Sequence, residues 1–133
     1  MQSDLEHQLV ERYPTIFRCT VTRSRERGYL VFGICCGDGW YALLDRMCAA
    51  IIQQPGHESF QATQVKEKFG GLRFYYMGGT DTISQIVQKA EEASMKTCEN
   101  CGVTSGVTCG GRRWVRTLCT VCRPIFDGEP DDK

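Results

Sequence analysis

Two C-x2-C pairs, Cys98 with Cys101 and Cys119 with Cys122, lie 17 residues apart in the segment TCENCGVTSGVTCGGRRWVRTLCTVC (97–122). No other feature restricts the folding of this chain as strongly. Two residues between thiolates allow a tight turn to aim both sulfurs at one ion, and backbone N–H groups in that turn soften the charge on sulfur. The intervening stretch must reverse so that the second pair comes alongside the first. The spacing is that of a four-cysteine zinc site, closed by sulfur on all sides and therefore structural. Gly110–Gly111 is the expected reversal, between a short strand around Val107 and a longer one through Trp114 and Leu118. Two knuckles on paired hairpins make a zinc ribbon, the preferred reading. A treble-clef finger is the rival and needs a helix at the second pair, which Pro124, Gly128 and Pro130 would keep short. A disulfide oxidoreductase would carry one such pair opening a helix in a βαβ frame; here there are two pairs.

Nine cysteines are an odd number, five of them in this segment. The N-terminus MQSDLEHQLVER is polar and acidic, unlike a signal peptide, so a cytoplasmic location is expected. There, disulfides are disfavoured and metal ligation is the better account of clustered thiols. Cys109, the fifth thiol, reads as a spare or strand-packing residue. Cys19, Cys35, Cys36 and Cys48 read as small buried hydrophobes.

The 133 residues suffice for one compact domain or a small domain with an appendage, and the 41% apolar and 24% charged content is that of an ordinary globular chain. No run approaches a membrane span of about 18 apolar residues. Formal net charge is zero, but residues 93–126 carry Lys96, Arg112, Arg113, Arg116 and Arg123 against Glu99 alone. Residues 1–92 are near neutral and the tail DGEPDDK is acidic. Only the cysteine segment qualifies on charge as a nucleic-acid contact. The chain divides on these grounds into an α+β domain (1–92), a zinc segment (93–126) and an acidic tail (127–133).

Residues 3–12 read as a helix with Ser3 as N-cap, ended by Pro14. IFRCTVTRS (16–24) and YLVFGICC (29–36) read as two strands of a hairpin around the charged tip RSRERG. In CGDGW, Asp38 is the expected N-cap of a helix running to about Gln54, with Trp40, Leu43, Leu44, Met47, Cys48 and Ile51 inward. FQATQVKEKF (60–69) and LRFYYMG (72–78) form a second hairpin turning at Gly70–Gly71, with Leu72, Phe74 and Tyr76 on one face and Arg73 and Tyr75 on the other. Thr80 or Asp81 caps a last helix with Ile83, Ile86, Val87, Ala90 and Ala93 as its apolar stripe. The expected fold is α+β, an antiparallel or mixed sheet with helices on one face, plus the C-terminal zinc ribbon with its four cysteine ligands.

Catalytic chemistry finds little support. His7 and His57 stand near no nucleophile pattern, no phosphate-binding glycine loop occurs, and Asp38 with Asp45 is better read as a cap and an exposed helix position. The sharpest functional stretch is GRRWVR: Arg112, Arg113, Trp114 and Arg116 on a metal-held hairpin can grip phosphates or anchor a protein interface. The simpler alternative has Trp114 covering the metal and the arginines balancing the −2 charge of a zinc tetrathiolate. KFGGLRFYY interleaves cations with aromatics but lacks the order of the RNA-recognition signature; core filling is the preferred reading, with Arg73 and Tyr75 as candidates for a binding surface.

Together, CGDGWYALLDRMC, VKEKFGGLRFYY and the terminal CENCG…RRWVRTLCTVC resemble a family of small proteins, mostly without assigned function, encoded by tailed phages, prophages and bacterial genomes carrying them. The resemblance spans about residues 30–122 and brings no catalytic residues with it. It implies a non-enzymatic accessory protein that binds a host protein or protein–nucleic-acid complex, for instance as an inhibitor of a defence complex such as a CRISPR effector. Direct nucleic-acid binding or transcriptional regulation is the alternative, a small enzyme with an unrecognised pocket the weaker one. Neither a membrane nor a small-molecule substrate is expected.

Overall fold

The structure, a computed structural model, describes residues 1–18, 33–111 and 114–127. Helix α1 spans Ser3–Arg12, strand β1 Ile34–Cys35, helix α2 Tyr41–Ile52, strands β2 Gln61–Lys68 and β3 Gly71–Met77, and helix α3 Asp81–Ser94. Strands β4 (Val107–Gly110) and β5 (Arg116–Cys119) and the short helix α4 (Arg123–Asp127) follow. The larger sheet has the order β1-β2-β3, with β1 parallel to β2 and β2 antiparallel to β3; β4 and β5 form a separate antiparallel pair. The α+β expectation and the mixed sheet are therefore met among the described residues.

Periodicity explains most of these elements. On α2, Leu43, Leu44, Met47, Cys48 and Ile51 are buried, and on α3 Ile83, Val87 and Ala90. Trp40, Phe60, Leu72 and Phe74 complete the same core, to which α1 and the turn after it add Leu9, Ile16 and Phe17. Thr80 is the cap of α3: its hydroxyl accepts from the Ile83 amide at 3.3 Å. Helix α3 also closes the free edge of β3. The amides of Leu72 and Phe74 donate to Ser94 Oγ and Glu91 Oε2, both at 2.9 Å, so an edge that would otherwise offer unpaired donors is covered.

Several local expectations are corrected. Ile16 and Phe17, which open the expected strand 16–24, lie in a turn instead of extending, because Tyr13, Ile16 and Phe17 are drawn into the core from a compact reversal after Pro14. Residues 19–32, which hold Cys19, the remainder of that strand, the hairpin tip and the start of the second expected strand, lie outside the described residues. Ser3 is the first residue of α1 and not its cap; Gln2 precedes it without a side-chain bond. Asp38 opens a 3-10 turn, Asp38–Trp40, and its carboxylate accepts from the Gln2 amide at 2.9 Å instead of capping α2. Cys36 and Cys48 are buried as expected, but Cys35 is exposed, since alternation along β1 turns Ile34 inward and Cys35 outward.

The β2–β3 turn falls one residue earlier than read. Lys68 pairs with Gly71, and the two loop residues are Phe69 and Gly70, at φ 54° and 83°. A two-residue hairpin of this hand needs positive φ at both positions, so the glycine signal was real and its register was off by one. Trp114, placed by the sequence reading on a strand, lies in the connection before β5, which begins at Arg116.

Candidate metal centre

Each sulfur is positioned by a short turn. In the first knuckle the Cys101 amide points at Cys98 Sγ (3.5 Å), and in the second the Cys122 amide points at Cys119 Sγ (3.4 Å). Asn100 Nδ2 donates to Cys122 Sγ at 3.3 Å, tying the first turn to the second pair. The β4–β5 ladder, Val107 opposite Cys119 through Gly110 opposite Arg116, folds the intervening residues back and brings the pairs together. The four Sγ atoms lie within 4.8 Å of one another, and Cys101 Sγ is 3.7 Å from Cys119 Sγ. Four sulfurs about 2.3 Å from a central tetrahedral ion would stand roughly 3.8 Å apart. The donor set and its spacing fit such an ion, and the cysteines are not disulfide-bonded.

Protonation within the cluster follows the same geometry. Burial acts to raise Cys98, but the N–H groups of Cys101, Cys119 and Asn100 outweigh it and hold the thiol at about 6. Cys119 is lowered, chiefly by the Cys122 amide. The Val103 amide favours the Cys101 thiolate and the Asn100 side chain that of Cys122, yet both thiols are shifted upward, Cys122 to about 12, because burial and the neighbouring thiols oppose a further negative charge. A crowded set of sulfurs that deprotonates only in part without a cation suits a divalent ion.

Cys98, Cys119 and Cys122 are buried with Leu118, and Val107 and Phe126 pack around them. Helix α4 starts immediately after Cys122, the element that the treble-clef reading requires. Arg123 clamps the hairpin from that helix, donating to the carbonyls of Gly110 (2.8 Å), Thr108 (2.5 Å) and Arg116 (3.1 Å). Trp114 does not cover the cluster: it is 65% exposed. The Arg116 guanidinium lies over the rings of Phe126 (4.5 Å) and Trp114 (5.9 Å). Arg112 and Arg113 lie outside the described residues. Arg73 and Tyr75 share the face of β3 away from the core, as expected, and belong to the other sheet. Cys109 is exposed and outside the cluster, its thiol 3.8 Å from the Phe69 carbonyl.

Sequence reasoning missed how the cluster is seated. The stretch CGDGW docks on the first knuckle. The Gly39 amide donates to the Glu99 carbonyl at 2.7 Å, the Gly37 amide to Glu99 Oε2 at 2.9 Å, and Trp40 Nε1 to the Thr97 carbonyl at 2.9 Å. A Cβ on Gly39 would overlap the Cys98 carbonyl oxygen, and one on Gly37 would overlap that of Glu99. Two glycines around one aspartate are thus the trace of a close backbone approach, a signal readable as helix capping only while its partner was unknown. From the other side, Thr117 Oγ1 donates to the Gly70 carbonyl at 2.5 Å and the Glu99 amide to the Thr117 carbonyl at 2.9 Å. Burial holds the Glu99 carboxyl above its ordinary range, and its Oε1 has no partner among the described residues. It borders a cavity of about 50 Å³ shared with Gly37, Asn100, Arg116, Leu118 and Phe126, well below the volume of a metabolite pocket.

No helix among the described residues is long and apolar enough to cross a membrane. No family model, curated protein or solved structure matches the chain.

Proposed function

We propose that the protein is a non-enzymatic binding protein whose cysteine cluster holds structural zinc and thereby fixes a contact surface for a host macromolecule. The observation that carries this reading is the closed set of four sulfurs, which leaves an ion no open position for water or substrate, next to an aromatic side chain left in solvent. Trp114, beside the Arg116 guanidinium that also lies over Phe126, has the composition of an interface anchor. Tetrahedral all-sulfur coordination favours zinc over harder ions. The order of knuckle, hairpin and short helix supports a treble-clef finger over a ribbon. The resemblance of these motifs to those of small phage and prophage proteins favours a host-directed role, with inhibition of a host or defence complex as its concrete form.

The test joins metal content to partner capture. Purified reduced protein is expected to contain one zinc per chain, lost together with the structure of residues 93–126 on chelation. Affinity capture from bacterial lysate, with and without nuclease, is expected to recover one stable partner that Trp114→Ala releases. Metal-free protein with an unaltered fold would end the reading.

A further inference from the structure

The open face of the β2–β3 sheet gives up stability at two separate points. Lys66 stands directly opposite Arg73 in the ladder, and like charges in cross-strand register repel. Neither forms an ion pair among the described residues. At the tip of the same hairpin, Phe69 occupies left-handed backbone at φ 54°, a conformation that suits glycine or asparagine and is strained for a bulky side chain. Packing does not account for the aromatic there, because Phe69 is 69% exposed. Features that cost stability without return inside the fold point to something outside it.

The chemistry of this face is consistent along its length. In register, Gln64 opposes Tyr75, Lys66 opposes Arg73, and Lys68 opposes Gly71. Lys66 Nζ lies 5.7 Å from the Tyr75 ring centre and Lys68 Nζ 5.7 Å from that of Phe69. Tyr75 is 43% exposed. Among the described residues no carboxylate stands on this face; Glu67 points the other way and accepts from the Gly70 amide. Positive charges alternate with flat rings over about 13 Å of strand, room for roughly four stacked nucleotides at 3.4 Å each. The surface continues past the hairpin tip, since Val115 approaches Gly70 and leads to Trp114. An acidic protein surface would use the cations but leave the rings without partners. A single strand of nucleic acid supplies phosphates and unpaired bases together.

We infer that the β2–β3 face binds single-stranded nucleic acid, with Lys66, Lys68 and Arg73 on phosphates and Tyr75 and Phe69 stacked on bases. This deepens the reading of the chain as a binding protein by naming a partner class, and it rests on that reading. The surface itself is built by the larger sheet and not by the cysteine cluster.

The test follows fluorescence anisotropy of short labelled oligothymidylate and oligouridylate with the zinc-loaded protein across a salt series. Saturable binding that weakens steeply with salt is expected, and tighter binding of either oligonucleotide supports the proposal. The double variant Lys66→Ala/Arg73→Ala should lower the logarithmic salt slope by about 1.4, the value for two phosphate contacts on a single strand. Tyr75→Ala should weaken binding about tenfold, while Tyr75→Phe retains it. Phe69→Asn should weaken binding while raising the denaturation midpoint, which separates a lost contact from a lost fold. Absence of saturable binding overturns the proposal, as does indifference to Tyr75→Ala. Displacement by polyglutamate as effective as by unlabelled oligonucleotide overturns it in favour of an acidic protein partner. Zinc-loaded protein that binds neither oligonucleotide yet captures a partner through Trp114 would remove this inference and leave the proposed function standing.

Discussion

Trp40 Nε1 donates to the backbone carbonyl of Thr97 at 2.9 Å, with the indole fully buried and Thr97 nearly so. This bond joins the residue that leads into α2 to the residue that leads into the first cysteine knuckle, 57 positions later. The core of the larger sheet and the seat of the cysteine cluster are therefore one packing problem. Trp40→Phe would keep most of the apolar volume and leave the Thr97 carbonyl buried without a donor. The expected loss is about 1–3 kcal/mol, read as a lower midpoint in denaturant with an unchanged slope. Chelator should strip metal faster from this variant than from the parent chain. Equal metal retention would show that the bond stabilises α2 alone.

Gly39 tests the same seat more severely. Its Cβ would overlap the Cys98 carbonyl, and the obstructing atom belongs to the backbone of a cysteine in the cluster, so Gly39→Ala must displace either the 3-10 turn or the knuckle. Weakened metal retention together with a fall of several kcal/mol in stability, the scale of backbone overpacking, is expected by metal analysis and chemical unfolding. Gly110→Ala is the control, since a Cβ there meets nothing within 4 Å.

Of the two acceptors with which α3 covers the edge of β3, the Ser94 hydroxyl is the buried one. Ser94 Oγ accepts from the Leu72 amide at 2.9 Å and donates to the Glu91 carbonyl at 2.5 Å, fully buried. Ser94→Ala should cost about 1–3 kcal/mol by orphaning a buried backbone donor, and hydrogen exchange should show it locally as faster exchange of the Leu72 amide. Uniformly faster exchange with no local excess at Leu72 would mean that Ser94 acts by packing.

How much of this was legible in the sequence depends on the range of the interaction. The inward faces of α2 and α3, and the pairing of Leu72, Phe74 and Tyr76, follow from periodicity and were read correctly. The cysteine spacing identified the four clustered sulfurs because a C-x2-C turn is local. The seat of the cluster was not legible: Gly37 and Gly39 carry meaning only against Glu99 and Cys98, some sixty residues away. Ile16 and Phe17 misled for a related reason: Phe17 opens an alternation with Arg18, Cys19, Thr20 and Val21 that imitates a strand, while burial of both neighbours, Ile16 and Phe17, selects a turn. Arg123 gave no signal either, as a clamp on three carbonyls has no sequence pattern.

Asp45 links α1 to α2 and should shape the acid limb of the stability curve. Its carboxylate accepts from the Tyr13 hydroxyl at 2.7 Å and from Arg12 at 3.0 Å. The Tyr13 bond, opposed by burial and helped by Arg12, holds the Asp45 carboxyl below its ordinary range. A carboxyl lowered in the folded state contributes stability above its unfolded value near 3.9. That contribution fades as pH falls from there through the folded value. Asp45→Asn should therefore lower stability at neutral pH and flatten the decline between about pH 4 and the acid transition. Urea midpoints for both proteins across that range check it; parallel curves would mean that Asp45 does not titrate with folding. Burial and the Asp45 bond also push the Tyr13 phenol up to about 12, so its ionisation should leave stability unchanged through the neutral range.

Phe69 offers the cleanest separation of stability from use. At φ 54° its Cβ is crowded by its own backbone, a strain of about 1–2 kcal/mol for an L-residue with a side chain. Asparagine tolerates this region and is favoured at the first position of such a turn. Being 69% exposed, Phe69 loses little packing on replacement, so Phe69→Asn should stabilise the protein by about 1 kcal/mol. Phe69→Ala removes the same ring while keeping a Cβ without asparagine's local hydrogen bonding, and so should gain much less. Thermal and denaturant midpoints distinguish the two: a higher midpoint for Asn than for Ala locates the effect in the backbone. A fall with both variants would instead assign the ring a packing role against the neighbouring hairpin, where Cys109 and Val115 approach the turn.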